Sequence, residues 1–123
     1  MDRIDRINET MKREIGMIVH VELKDPRLQF VTITQVNVSR DLQHARVSFS
    51  VLGNTLAVEK ALSGLDSAKG LIRKLIGERI RMRFTPEIEF IHDRSLEYSA
   101  RIEQALEEIR HEPKKDSSGN SKA

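Results

Sequence analysis

The densest chemistry in this chain is cationic. From Leu71 to Thr85, Arg73, Lys74, Arg79, Arg81 and Arg83 stand against a single acid, Glu78. Just before them runs Ser67-Ala68-Lys69-Gly70, where a glycine at a helix junction permits backbone approaches that a side chain would forbid. On a helical wheel, Gly70, Arg73, Lys74, Gly77 and Arg81 fall opposite Ala68, Leu71, Ile72, Leu75 and Ile76. One side is dry. The other is basic and low in profile, which lets a sugar–phosphate backbone lie close. A helix starting near Gly70 would also turn free N–H groups and its positive dipole end toward a phosphate. The candidate RNA-binding residues are therefore Ala68, Lys69, Gly70, Arg73, Lys74, Gly77, Arg81 and Arg83. The same pattern also describes a solvated helix face with two incidental glycines, because charged exposed faces are common. Arg79 falls on the dry side of the wheel, so either the helix bends before it or its side chain snorkels out.

Catalytic chemistry finds little to work with. His20, His44, His92 and His111 are far apart, and no pair has the helical spacing of metal ligands. Each reads as an ordinary structural or solvated imidazole. Glu87 and Glu89 share one strand face, and paired carboxylates can do acid–base work when one is buried. Their alternation with Ile88 and Phe90 places them instead on a wet face. There is no phosphate-cradling Gly-rich motif, no nucleophile elbow and no cysteine. Phe30, Phe49, Phe84, Phe90 and Tyr98 are the aromatics. Phe49 and Phe90 lie on dry strand phases, so no exposed stacking platform is expected, and recognition should lean on phosphate and RNA shape.

The elements that must position the cationic face follow from periodicity. Ile4, Ile7, Met11, Ile15 and Ile18 recur at steps of three and four, predicting an amphipathic helix over roughly 3–20. Asp25-Pro26 stops any helix, since proline disfavours the α conformation of the residue before it. Phe30 to Val38 is rich in β-branched residues and predicts a strand. Its apolar phase changes from Val31 and Ile33 to Val36 and Val38, so the strand either carries a bulge or is covered on both faces. After a polar connector, Ala45, Val47, Phe49 and Val51 alternate with polar residues, predicting a second strand paired to the first as a hairpin. Asn54 offers a helix cap, and apolar spacing then runs from Val58 to Ile80 past Gly64 and Gly70. Either a kinked helix or two helices end to end would fit. Ile88 and Phe90 mark a third strand after Pro86. A last helix carries the stripe Leu96, Ile102, Leu106 and Ile109, with Asp93 or Ser95 as its cap. The tail from Pro113 has nothing to bury and is expected to be disordered. The order is α-β-β-α-α-β-α: an α+β domain over 1–112, its three-stranded sheet covered on one face by helices, and a tail over 113–123.

Composition agrees with one such domain. A chain of 123 residues with 38% hydrophobic content can bury a core without disulfides. No apolar run approaches a membrane span, which needs about 18 residues. The charged start, Met1-Asp2-Arg3-Ile4-Asp5-Arg6, has no signal-peptide core, and a cytoplasmic protein is expected. The net charge of +2 is unevenly placed: 15 Lys/Arg and 10 Asp/Glu over residues 1–85, against 6 and 9 over residues 86–123. A basic block beside an acidic one points to a polyanionic partner met by one face.

Several short motifs bring a family into view. They are Glu22-Leu23-Lys24-Asp25-Pro26-Arg27-Leu28, Val31-Thr32-Ile33-Thr34, Val36, Val38-Ser39, Asp41-Leu42, Ala45, Val47-Ser48 and Val51-Leu52-Gly53. The most diagnostic is Arg79-Ile80-Arg81-Met82-Arg83-Phe84-Thr85-Pro86-Glu87-Ile88-Glu89-Phe90, closing with Asp93-Arg94-Ser95. In this order, over about residues 1–110, they resemble the bacterial ribosome-binding factor A family. The resemblance implies a single type II KH-like domain whose Gly-x-x-Gly loop is replaced by an interhelical Ala-x-Gly kink, here Ala68-Lys69-Gly70. It implies a monomeric factor that binds the free small (30S) ribosomal subunit and its 16S rRNA late in maturation. Such a factor supports rRNA processing and matters for growth in the cold, with no cofactor, no metal and no catalytic residue. Ribosomal proteins are further partners under this reading, and membranes are not. A different class of function, a protein-interaction module, would use the acidic last helix with Glu97, Glu103, Glu107, Glu108 and Glu112. An enzyme acting on RNA would need an acid, base or metal constellation that the sequence does not supply.

Overall fold

The computed structural model describes residues 2–111. Its first compact unit runs to Asp93 and contains every element but the last. Helix α1, Arg3–Met17, opens with a capping box in which Asp2 accepts from the Asp5 N–H and Asp5 accepts from the Asp2 N–H. The sequence predicts one helix to about residue 20. Instead the α-helix widens into a π-helical turn, Ile18–Glu22, and stops at Leu23. The wider turn still buries Ile18 and Val19, so it lengthens the dry stripe begun by Met11 and Ile15. Asp25, held extended ahead of Pro26, caps a short 3-10 turn, Pro26–Leu28, that drops Leu28 into the core.

Strands β1, Val31–Val38, and β2, His44–Val51, form the expected antiparallel hairpin. The change of apolar phase in β1 is a bulge: the register slips between Ile33 and Gln35, so Val31, Ile33, Val36 and Val38 all face the core. Thr34, the bulged residue, donates its hydroxyl to Asp93 at 2.7 Å. The hairpin connector is closed by side chains. Ser39 donates to Asp41 at 2.6 Å, and Asp41 accepts the Gln43 N–H at 3.1 Å. These bonds hold the Asp41 carboxyl below its ordinary range, with the Ser39 hydroxyl the largest cause. They also hold Leu42 in a left-handed conformation, φ 63°, which L-residues avoid.

Gly53, at φ 133°, turns the chain out of β2, and Asn54 caps helix α2, Thr55–Ser67. Of the two sequence alternatives for the long apolar run, the structure takes the second. Helix α3, Lys69–Arg79, follows end to end, with Ala68 as the shared cap at φ −90°, ψ 0°. The two helices carry the chain across to β3, Glu87–His92, which pairs parallel with β2. A parallel neighbour requires such a crossover, whereas the hairpin does not. The sheet is thus mixed, in order β1-β2-β3.

One face of the sheet is packed by α1, α2 and α3. Phe49 sits in the middle with no exposed surface, among Met11, Ile15, Leu65, Ile72 and Ile76. No polar side chain is buried among the described residues, so this core rests on apolar burial and dispersion. The opposite face is polar. Glu89 meets Arg46 across it at 3.8 Å, as expected for the wet side of an alternating strand. Helix α4, Ser95–His111, belongs to the second unit. Within it, Glu107 and Arg110 pair at 3.0 Å along one side. The expected tail from Pro113 lies outside the described residues, as does the side chain of Leu96.

Candidate nucleic-acid interface

The eight candidate residues fall at the α2–α3 junction, along α3 and on the linker to β3. They separate into residues held by the fold and residues that face solvent without a partner. Ala68 is partly buried against the core at the junction. Lys69 lies 3.5 Å from Asp66, an exposed pair that contributes little. Gly70 is open: a Cβ built there would meet nothing within 4 Å. It keeps the helix surface low without being sterically required.

Arg73 does not reach outward as a free contact. Its Nε donates to the Pro86 carbonyl at 3.0 Å and its Nη2 to the Thr85 carbonyl at 2.9 Å. Glu87 lies 3.6 Å away as a counter-charge. The guanidinium fork spans two successive carbonyls, a geometry that a lysine ammonium cannot match. Arg73 therefore clamps the linker that feeds β3. Gly77 serves the same junction. A Cβ there would come within 2.8 Å of the Thr85 hydroxyl, so glycine lets the linker lie against α3 without displacing that side chain.

Lys74, Arg81 and Arg83 remain. All three are exposed, and no ion pair reaches them among the described residues. Lys74 lies one turn before Gly77 on α3, while Arg81 and Arg83 follow on the linker. Arg83 places its guanidinium carbon 5.7 Å from the centre of the Phe84 ring. Glu78 is also exposed, but one carboxylate against Lys74, Arg81 and Arg83 leaves the local charge positive.

Arg79 resolves the problem posed by its place on the wheel. Helix α3 ends there, and the side chain reaches Glu22 at 2.9 Å and Glu14 at 3.5 Å, tying α3 to α1 and to the π-helical turn. Leu71, on the expected dry side, is 46% exposed and borders the cationic face instead. Two aromatics correct a second expectation. Phe30 and Phe84 are 58% and 69% exposed, so exposed ring faces do exist. Sequence could have flagged Phe84: it sits in a segment without helical or strand periodicity, where no apolar partner is due.

Nothing in the same region gathers catalytic groups. No set of three or more His, Cys, Asp or Glu among the described residues could hold a metal. No described helix is long and apolar enough to cross a membrane. His92 packs its ring 5.6 Å from Phe49, and His20 and His44 are exposed singly.

Fold and surface together define an α+β domain with a mixed three-stranded sheet, presenting cations from one helix and the linker that follows it. The family is shown by comparison: the model for ribosome-binding factor A matches residues 3–106, and this chain belongs to that family. Ribosome-binding factor A of Halothermothrix orenii is 46% identical over 114 residues, covering 93% of each chain. The crystal structure of ribosome-binding factor A from Thermus thermophilus superposes with a TM-score of 0.69 at 26% identity, over 76% of this chain and all of that one. A Thermotoga maritima solution structure, a putative ribosome-binding factor A, gives 0.62 at 33% identity, over 77% and 93%. A Thermus thermophilus homology model, fitted into the cryo-electron-microscopy map of a 30S–ribosome-binding factor A complex, gives 0.60 at 29% identity, over 71% and 91%.

Proposed function

We propose that this chain binds the small ribosomal subunit during late assembly by setting Lys74, Arg81 and Arg83 against rRNA phosphates, and that it acts by binding alone. The observation that carries this reading is the set of three exposed cations that no ion pair reaches among the described residues, while Arg73 and Arg79 beside them are consumed by the fold. Family membership supports the partner, since a relative has been fitted into a 30S complex. Within this reading the domain is a type II KH-like unit acting as a monomer in the cytoplasm. Ala68-Lys69-Gly70, at the α2–α3 junction, takes on this reading the place of the Gly-x-x-Gly loop of ordinary KH domains. Holding immature 16S rRNA until its processing is complete requires affinity and release, and no covalent step.

The test is co-sedimentation with small subunits. The triple change Lys74→Glu, Arg81→Glu and Arg83→Glu touches no residue that the core or the clamp uses, so the fold should survive. Binding should be lost. Each phosphate contact contributes roughly 0.7–0.9 to the slope of log affinity against log salt, so the slope for wild type should exceed that of the triple variant by about 2–3. A folded triple variant that co-sediments at wild-type levels removes this face from the mechanism. Wild-type capture of subunit proteins that survives complete nuclease digestion would transfer the function to protein contacts.

A further inference from the structure

We infer that Phe84 is a stacking platform for a single unpaired RNA base, a subsite within the interface proposed above and dependent on that reading. The chain has four phenylalanines, and two of them fill the core: Phe49 is fully buried and Phe90 is 6% exposed. Phe84 leaves 69% of its surface in water, with the Arg83 guanidinium carbon 5.7 Å from its ring centre. Water gains nothing from an exposed ring, and a nucleobase offers a π-face of matching size.

Rigidity favours the same conclusion. The residues just after Phe84 are fixed: Arg73 holds the Thr85 and Pro86 carbonyls, Thr85 lies against Gly77, and Pro86 is fully buried. A ring mounted beside such an anchor loses little freedom when a ligand settles on it. Arg83 lies over one face of the ring at 5.7 Å, a cation–π contact that directs a base to the ring's other face. Arg81 and Arg83, exposed on the same linker as Phe84, supply positive charge for the backbone that carries the base.

Phe30 shows what is missing elsewhere. It is 58% exposed, but the nearest cation in sequence, Arg27, is fully engaged by Asp25 through contacts of 2.6, 3.0 and 3.1 Å. Among the described residues no cation lies over the Phe30 ring, whereas Arg83 lies over that of Phe84. A base of a single-stranded or bulged segment fits Phe84 better than a paired base, whose faces are already covered by neighbours.

The experiment measures binding of the full chain to a small-subunit rRNA transcript at fixed salt. Phe84→Ala and Phe84→Leu should each weaken binding by about 5- to 150-fold, the range set by stacking of one base on an aromatic ring. Phe84→Trp should keep wild-type affinity. Because the chain has no tryptophan, that variant also carries a unique fluorophore. Its emission should be quenched by the transcript and left unchanged by inorganic polyphosphate, which has charge but no bases. Wild-type affinity in Phe84→Leu overturns the inference, because the contact would then be apolar without stacking. Equal quenching by polyphosphate also overturns it. Either result leaves the ribosomal reading standing if wild type binds the transcript. If wild type binds no small-subunit RNA, both fall together.

Discussion

Arg73→Ala removes the two hydrogen bonds that tie helix α3 to the Thr85 and Pro86 carbonyls, 2.9 and 3.0 Å long, and the 3.6 Å pair with Glu87. Hydrogen bonds from a charged donor contribute roughly 1.5–3 kcal/mol each when well shielded. The Arg73 side chain is 35% exposed and Glu87 67%, so water rehydrates part of what is lost and the ion pair adds little. A net cost of about 2 kcal/mol follows. With a urea dependence of about 1.5 kcal/mol/M, the unfolding midpoint should fall by about 1.3 M. Arg73→Lys keeps the charge but cannot span both carbonyls, so it should recover only a minor part of the loss. Equilibrium urea unfolding, followed by far-ultraviolet circular dichroism, reads this directly. The companion assay is the salt slope of RNA binding, which should stay unchanged in Arg73→Ala if the guanidinium is spent on the two carbonyls and on no phosphate. A midpoint within about 0.3 M of wild type in Arg73→Ala, together with a slope lowered by about one, would refute the clamp and return Arg73 to the interface.

Two further outcomes test the same junction and the acid sensitivity of the fold. Gly77→Ala gains helix propensity of about 1 kcal/mol but drives a Cβ toward the Thr85 hydroxyl, so it should be neutral or mildly destabilising alone and stabilising in a Thr85→Ala background. Strictly additive unfolding energies in that cycle would show that the close approach carries no strain. Asp25 is held below the usual carboxylate range by the Arg27 side chain and then by the Arg27 N–H, so its folded value lies under its unfolded one. Its contribution is present above about pH 4 and is lost as pH falls through the lowered folded value. Asp25→Asn should therefore be less stable than wild type at neutral pH and converge with it in acid, leaving Asp41 to supply part of the remaining acid sensitivity. Parallel pH profiles of the two urea midpoints would disprove this.

Most of the architecture is legible in the sequence, because apolar spacing is dictated by the period of each element. The stripe Met11, Ile15, Ile18 and the alternation Ala45, Val47, Phe49 both end in the core. The phase change in β1 was visible as a fault, but sequence alone did not tell a bulge from a doubly covered strand. Only the pairing of Ile33 with Phe49 and Gln35 with Ser48 decided it. The π-helical turn that closes α1 is invisible in the sequence for a similar reason. Whether a helix stops, or relaxes into a wider turn, depends on partners such as Arg79 that are distant in sequence.

The cationic stretch shows the same division at the level of function. Sequence by itself determined that arginine and lysine crowd one segment around Gly70 and Gly77, because residue type and helical spacing are local facts. It did not sort those cations. Tertiary structure alone assigned Arg73 to two backbone carbonyls and Arg79 to Glu14 and Glu22, while leaving Lys74, Arg81 and Arg83 in water. It also turned Phe84 outward while Phe49 and Phe90 went in. A charge becomes structural or available according to which acceptors the folded chain brings within about 3 Å of it, and those acceptors come from other elements.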